Sequence, residues 1–234
     1  MTEGRLQALF PTPVYVRADV VNEEWQKDTI KKMESIDIAK SKIESNDLDL
    51  KMKGISFFGD ADYTKDFGID ITWLKEEIKK GIQDFLQENL DVPVDRYDIH
   101  IQKWWPVVTL NEGGVSKHSH NNSHLSVVYY VRVPSSTTEK DPGCLTFYSD
   151  QSYWARHIGL AVDDKGQAET FITYVPTTGD LIIFPSHLEH SVTRNEWDEK
   201  RFSLSFDITI TRNETEDDSS DEMALTPPTK WIKL

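Results

Sequence analysis

The spacing of apolar residues predicts two amphipathic helices in the first 92 residues of the chain. Asn22 can cap the first helix. The apolar residues of this helix would lie on one side: Trp25, Ile30, Met33 and Ile36. The second would end at Asp91-Val92-Pro93 and has a longer apolar stripe, formed by Ile71, Leu74, Ile78, Ile82, Phe85 and Leu86. Because a stripe of this length must be buried, we expect the second helix to lie against a sheet.

After Pro93 the pattern changes to short runs of β-branched and aromatic residues separated by turn residues. These runs predict seven strands: Asp98–Leu110, Leu125–Val133, Cys144–Ser149, Glu169–Val175, Asp180–Phe184, His190–Val192 and Phe202–Ile210. Earlier in the chain, Leu9–Val16 contains two prolines, which favours an edge strand or an extended arm. Ser41–Phe67 is interpreted as loop or short elements. The pattern predicts a mainly β fold with flanking helices, a double-stranded β-helix or jelly roll.

The length of 234 residues favours one sizeable domain with a real core. We expect this domain to cover residues 1–211, with a helical and extended preface over residues 1–92 and the jelly-roll core over residues 93–211. Residues 212–234 are predicted to form an acidic tail, because the run Asn213–Glu222 is too charged to bury.

The composition of the chain predicts which partners the protein binds and in which cellular compartment it is found. The chain has 40 acidic and 26 basic residues, a net charge of −14, which argues against nucleic acid because phosphates would be repelled. The single cysteine, Cys144, excludes an intrachain disulfide and suits a reducing compartment. No apolar run reaches the roughly 18 residues of a membrane span, and Met1–Arg5 does not begin a signal peptide. We therefore expect a cytoplasmic protein that binds neither nucleic acid nor membranes.

Three of the seven histidines lie in the short stretch that runs into the predicted strand Leu125–Val133. Side chains alternate along an extended chain, so His118 and His120 would project from the same side. Two imidazoles on one face can hold one metal ion, and a third ligand must come from elsewhere in the chain. His190 is our candidate for that third ligand, whereas His124 is interpreted as a wall or surface residue.

The strand that follows His190 has an unusual polar face. Its polar residues Arg201, Ser203 and Ser205 alternate with Phe202, Leu204 and Phe206. A carboxylate ligand would explain an arginine inside a barrel, because guanidinium and carboxylate form two parallel charge-assisted hydrogen bonds, to which a serine hydroxyl can add a third. Tyr130, which shares a strand face with Ser126 and Val128, could offer its hydroxyl to the same ligand.

These residues resemble the iron(II)- and 2-oxoglutarate-dependent dioxygenases, in particular the prolyl-hydroxylase-like branch and related oxygenases with the pattern HxHxxS…S…YY. The resemblance covers Leu9–Pro13 weakly and Trp104–Phe206 well. It implies a double-stranded β-helix in which His118 and His190 bind Fe(II). It also implies that Arg201 and Ser203 hold the far carboxylate of 2-oxoglutarate, with Tyr130 as a second hydroxyl.

The resemblance implies an enzyme that uses Fe(II), 2-oxoglutarate and O2. It would hydroxylate an unactivated C–H bond of an amino acid, a peptide residue or a small metabolite and release succinate and CO2. His120 departs from the family, because it occupies the place of the usual carboxylate ligand and so removes one negative charge from the site. We interpret His120 as a metal ligand beside His118 and His190, with an outer hydrogen-bonding role as the alternative. A homodimer is possible.

Three other interpretations of the same residues remain open. An ordinary β-sandwich would satisfy its histidines with hydrogen bonds and use Arg201 in a structural ion pair. A cupin would also use His118, His120 and His190, although it gives no special reason for Arg201 and Ser203. A zinc hydrolase or hydratase would use the three histidines and a water, since three neutral imidazoles suit zinc.

Overall fold

The computed structural model of the protein describes residues 12–35, 54–56, 68–91, 93–134, 140–149, 170–213 and 224–233. Two short 3-10 turns, at Val94–Arg96 and Pro228–Lys230, accompany the regular elements. In chain order these elements are β1 (Tyr15–Arg17), α1 (Glu23–Glu34), β2 (Gly54–Ser56), α2 (Thr72–Leu90), β3 (Tyr97–Thr109), β4 (Val115–His118), β5 (Leu125–Arg132), β6 (Leu145–Ser149), β7 (Thr170–Tyr174), β8 (Leu181–Pro185), β9 (His190–Val192) and β10 (Arg201–Arg212).

The described strands form two antiparallel sheets that face each other. The major sheet has the strand order β1-β8-β5-β10-β3-β2, and the minor sheet has the order β4-β9-β6-β7. Residues from both sheets, among them Phe147 and Phe184, form an apolar cluster between them. The prediction of a mainly β fold with flanking helices is confirmed.

Both helices pack on the outer face of the major sheet, as their apolar stripes require. Asn22 caps α1 as predicted, since its side chain accepts a hydrogen bond from the Trp25 amide at 3.1 Å. In α2, Gly81 allows close approach to the sheet, because a Cβ at this position would lie only 2.9 Å from Ile183 Cδ1. The helix ends at Asp91, which adopts a left-handed conformation two residues before Pro93.

The major sheet is buried on both faces, and alternation along its strands divides the side chains between two environments. On the helix side lie the apolar residues Val127, Tyr129, Leu181, Ile183, Phe202 and Leu204. On the inner side lie Tyr130, Arg201 and Ser203, which face the minor sheet across a cavity. The sheet therefore carries a polar row into the interior of the protein.

The seven predicted strands are all present, with ends that differ by one or two residues. Tyr15–Arg17 is an edge strand, in agreement with the prediction for the proline-containing segment. Two strands were not predicted as such. Val115–His118 forms an edge of the minor sheet, and Gly54–Ser56, within a segment interpreted as loop or short elements, pairs with β3. The predicted helical residue Ile36 lies outside the described residues, and the domain boundary at residue 211 stays a prediction.

No helix in the described part of the chain is both long enough and apolar enough to cross a lipid bilayer.

Candidate metal centre

The structure brings His118, His120 and His190 together at one end of the cavity between the sheets. His118 is the last residue of β4 and pairs directly with His190, the first residue of β9. His120 lies just beyond β4, where its amide donates to the Ser186 carbonyl at 2.8 Å. One ring nitrogen of each histidine lies within 4.8 Å of the others, and the ring centroids are 4.3 to 5.3 Å apart.

Hydrogen bonds at Nδ1 set the proton positions of His118 and His190. The Nδ1 atom of His118 lies 2.7 Å from the Ser116 carbonyl oxygen, and that of His190 lies 2.8 Å from the Leu188 carbonyl oxygen. A carbonyl oxygen only accepts, so each Nδ1 must carry the proton and donate it. Each ring therefore keeps a free lone pair on Nε2, which is the state that a metal requires.

Burial keeps these two rings neutral. It lowers the pKa of His118, and the neighbouring His120 lowers it further, against a weaker opposing effect of the hydrogen bond to Ser116. Burial and the nearby His118 lower the pKa of His190 to about 3. Because neutral imidazole is the ligand form, a metal ion would not have to displace protons here at neutral pH.

His120 is held by a residue that the sequence analysis did not single out. Its Nδ1 lies 2.5 Å from Oδ1 of Asp207, a fully buried carboxylate on β10, and Lys103 Nζ lies 3.0 Å from the other carboxylate oxygen. Burial by itself would raise the pKa of Asp207, but the hydrogen bond with His120 and the ion pair with Lys103 outweigh burial and lower this pKa. A signal was present, since Asp207 continues the polar alternation of Arg201, Ser203 and Ser205.

The cavity connects the histidines to Arg201. It has a volume of about 430 Å³, within the range of about 300–1,000 Å³ that is usual for small-molecule sites. Its lining is polar around the three histidines and along Arg201, Ser203 and Ser205 of β10. The apolar lining residues include Val107, Val115, Val128, Leu145, Phe184 and Val192. One cavity is thus lined by both the three histidines and the guanidinium of Arg201.

Arg201 is 2 % exposed and has no acidic partner within ion-pair distance among the described residues. Its Nη1 donates to the Gly143 carbonyl at 2.5 Å, its Cζ lies 5.4 Å from the centroid of the Tyr130 ring, and its Nε has no hydrogen-bond partner in the described structure. Burial lowers the pKa of the guanidinium, which nevertheless stays charged. A buried cation in this state favours an anionic ligand.

Tyr130 and Ser203 lie beside Arg201 on the same wall. They are directly paired across β5 and β10, and both line the cavity. Burial raises the pKa of Tyr130 to about 12, so its phenol remains protonated and able to donate a hydrogen bond. The predicted binding residues Arg201, Ser203 and Tyr130 therefore form one contiguous patch.

The remaining described histidines lie outside the cluster. His124 Nδ1 accepts a hydrogen bond from the Ile210 amide at 2.9 Å, and His100 contacts the Thr211 hydroxyl at 2.9 Å. His187 is not part of the group that could share a metal ion.

Two neighbouring tryptophans on β3 lie on opposite sides of the major sheet. Trp105 lines the cavity, with its ring centroid 5.8 Å from that of His120, whereas Trp104 belongs to the core on the helix side.

Comparison with known sequences identifies a family that the central part of this chain resembles. Residues 103–207 match the model of a family described as "Putative 2OG-Fe(II) oxygenase". No curated protein sequence matches the chain. The matched segment contains all three clustered histidines together with Tyr130, Arg201 and Ser203, so the resemblance to iron(II)- and 2-oxoglutarate-dependent oxygenases is confirmed.

Solved structures support the same fold at low sequence identity. A prolyl hydroxylase from Trichoplax adhaerens, solved with a hypoxia-inducible-factor peptide, has a TM-score of 0.57 and 12 % identity; the match covers 84 % of this chain and 83 % of that one. The epimerase SnoN from nogalamycin biosynthesis has a TM-score of 0.55 and 13 % identity, with 88 % and 83 % covered. HygX from Streptomyces hygroscopicus with iron bound has a TM-score of 0.51 and 10 % identity, with 92 % and 91 % covered. The predicted double-stranded β-helix is confirmed.

Proposed function

We propose that the protein is an Fe(II)- and 2-oxoglutarate-dependent dioxygenase that hydroxylates an unactivated C–H bond of an amino acid, a peptide residue or a small metabolite. The observation that carries this proposal is the presence, in one cavity, of three convergent histidines and a buried guanidinium that has no acidic partner within the described part of the chain. The histidines suit a divalent metal, and the guanidinium suits a carboxylate. A ligand with a metal-chelating end and a distant carboxylate satisfies both.

The donor set at the histidine end fits Fe(II). The free Nε2 atoms of His118 and His190, together with a ring nitrogen of His120, lie on one side of the cavity. Imidazole is a common ligand of iron, and three ligands on one face leave positions open for a cosubstrate and O2. Iron held there would supply the oxygen chemistry that amino-acid side chains lack.

Arg201, Ser203 and Tyr130 would bind the far carboxylate of 2-oxoglutarate. Arg201 offers a planar guanidinium whose Nε has no described partner, and Tyr130 and Ser203, which pair with each other across β5 and β10, line the same cavity. Hydrogen bonds between a guanidinium and a carboxylate in a low-dielectric interior are short and about twice as strong as neutral ones. Burial of the cation thus becomes favourable when the dianion is bound.

The rest of the cavity would position the substrate and exclude water. Its apolar walls of valine, leucine and phenylalanine offer few competing hydrogen bonds, and Trp105 forms a flat wall next to His120. Orientation of a C–H bond near the metal is the contribution that the protein makes to such a reaction. A volume of about 430 Å³ accommodates the cosubstrate and the reacting part of a substrate, so the remainder of a larger substrate would extend outside.

The proposal is tested with purified protein, Fe(II), 2-oxoglutarate, O2 and a panel of amino acids, peptides and small metabolites. We expect succinate formation that requires Fe(II), 2-oxoglutarate and O2 and that increases when the right substrate is present. Because the similar protein SnoN is an epimerase, the organic product must be identified by mass spectrometry and NMR. Absence of both 2-oxoglutarate binding and succinate formation in iron-loaded protein would overturn the proposal.

A zinc hydrolase or hydratase is the second candidate, because three neutral histidine nitrogens also suit zinc and the activation of a bound water. Turnover that proceeds with Zn²⁺ and without O2 or 2-oxoglutarate would favour it. The cupin alternative is weaker, since it assigns no ligand to the buried guanidinium of Arg201. Cytoplasmic location, a substrate that is small or a peptide, and a homodimer remain predictions.

A further inference from the structure

Asp207 is a buried carboxylate that faces a candidate metal ligand. It is 0 % exposed, its Oδ1 accepts a hydrogen bond from His120 Nδ1 at 2.5 Å, and its other oxygen lies 3.0 Å from Lys103 Nζ. Burial of a carboxylate is costly unless its charge is compensated and its oxygens are hydrogen-bonded. The hydrogen bond from His120 to Oδ1 and the ion pair of Lys103 with Oδ2 compensate the charge, although Oδ2 has no hydrogen bond within the described structure. The contact with His120 leads directly to the candidate metal centre.

We propose that Asp207 supplies the negative charge of this metal centre from behind His120, in place of a carboxylate bound to the metal itself. Asp207 is in this sense a positioning residue, because it acts on the metal only through the imidazole. The inference rests on the proposed metal site of His118, His120 and His190. Asp207 is the last residue of the segment that matches the oxygenase family model.

The hydrogen bond determines both the tautomer and the orientation of His120. With Nδ1 donating to the carboxylate, Nε2 is the ring nitrogen that remains for a metal ion, and it is directed away from β10. A carboxylate in this position also makes the imidazole a stronger electron donor, as outer partners of metal-bound histidines generally do. His120 would therefore bind a cation more strongly than a histidine whose Nδ1 donates to a neutral carbonyl, which is the situation of His118 and His190.

Strand register explains why Asp207 can reach His120. Asp207 pairs with Lys103 on β3 and with Ser126 on β5, so it lies at the histidine end of the polar row that begins at Arg201. The pairing of β10 with β3 shifts immediately after Asp207. Irregularities of this kind are common beside active sites, where they change the direction of a side chain.

Lys103 completes the unit by balancing the charge of Asp207. Its ammonium is partly exposed and lies 3.0 Å from the carboxylate oxygen that faces away from His120. This contact holds the carboxylate in place and limits how strongly it attracts the His120 proton. The three residues thus form a charge chain from the surface to the metal position: Lys103, Asp207, His120.

The buried Asp207 carboxylate affects the substitution His120→Asp, which would introduce the residue type usual at this position in the similar oxygenases. A carboxylate at position 120 would face Asp207 inside the protein, and two buried like charges repel each other. The change should therefore impair metal binding on its own. A second change of Asp207 to asparagine should relieve the repulsion.

The first test compares the wild type with Asp207→Asn by anaerobic calorimetry with Fe(II) and by absorption spectroscopy with Co(II). Asparagine keeps the shape and an acceptor oxygen but loses the charge. We expect roughly 10- to 100-fold weaker metal binding, the usual effect of an outer partner, and a changed ligand-field spectrum of bound Co(II). Asp180→Asn is the matched control, because Asp180 is also buried but accepts hydrogen bonds from Tyr174 and Thr177. It should leave metal affinity unchanged.

Wild-type affinity and an unchanged Co(II) spectrum in folded Asp207→Asn would overturn the inference while the proposed function stands. If the wild type itself bound neither metal, the metal site and this inference would both fall. If Asp207→Asn does not fold, the inference is tested by comparing the Fe(II) affinity of His120→Asp with that of the double variant His120→Asp/Asp207→Asn. We expect the double variant to bind Fe(II) more tightly than His120→Asp alone, and equal or weaker binding would overturn the inference.

Discussion

The guanidinium of Arg201 rests against the backbone of Gly143, whose carbonyl oxygen accepts a hydrogen bond from Nη1 at 2.5 Å. Gly143 has a φ of +86°, and a Cβ at this position would lie 3.3 Å from the same nitrogen. Only glycine combines this backbone conformation with room for the arginine. The position of Arg201 in the proposed 2-oxoglutarate site therefore depends on Gly143, which is not itself one of the proposed binding residues.

Gly143→Ala should weaken 2-oxoglutarate binding and leave Fe(II) binding intact. The alanine would strain the backbone at positive φ and push the Arg201 guanidinium from its place, whereas the histidines lie at the other end of the cavity. Calorimetry with each ligand checks this prediction. Equal loss of both affinities would indicate a general effect on folding instead.

Arg201→Lys should reduce 2-oxoglutarate affinity at least tenfold, or about 1.4 kcal/mol. The lysine keeps a positive charge but loses the planar pair of donors that a carboxylate prefers. Arg132→Lys is a matched control, because Arg132 also lies on the major sheet but packs over Phe202 at 4.1 Å and pairs with Glu34. Unchanged 2-oxoglutarate affinity in Arg201→Lys, with iron still bound, would favour the cupin interpretation.

His118→Ala and His190→Ala should each abolish tight Fe(II) binding, because two remaining histidines leave too few strong ligands on one face. Anaerobic calorimetry measures the affinity. His124→Ala serves as the control, since His124 accepts a hydrogen bond from Ile210 and lies outside the cluster. Undiminished affinity in either ligand variant would remove that histidine from the metal centre.

His120→Ala should abolish both Fe(II) binding and the formation of succinate in the absence of a substrate. The change removes a ligand and also leaves the Asp207 carboxylate without one of its two compensating partners. Circular dichroism should accompany the assay, because loss of the partner also destabilises the fold. Near-normal succinate formation would show that His120 is not a ligand while leaving the roles of His118, His190 and Arg201 open to the other tests.

A large part of the fold could be predicted from the chain alone. The helical spacing before Pro93 and the two-residue alternation after it each match a repeating geometry, so the elements and their buried faces followed directly. The same alternation separated Arg201 and Ser203 from Phe202 and Leu204. Candidate site residues were recognisable because histidine and arginine are unusual on the buried face of a strand.

Other features needed the tertiary structure. Alternation assigns a side chain to a face but does not say which strand lies beside it, because pairing joins residues that are far apart in sequence. The contact between His120 and Asp207, 87 residues apart, arises only when β10 lies between β3 and β5. The short strand Gly54–Ser56 likewise has little local signal and owes its conformation to pairing with β3. Sequence thus determined the elements and the chemistry available to the site, whereas long-range strand register decided which of those groups meet.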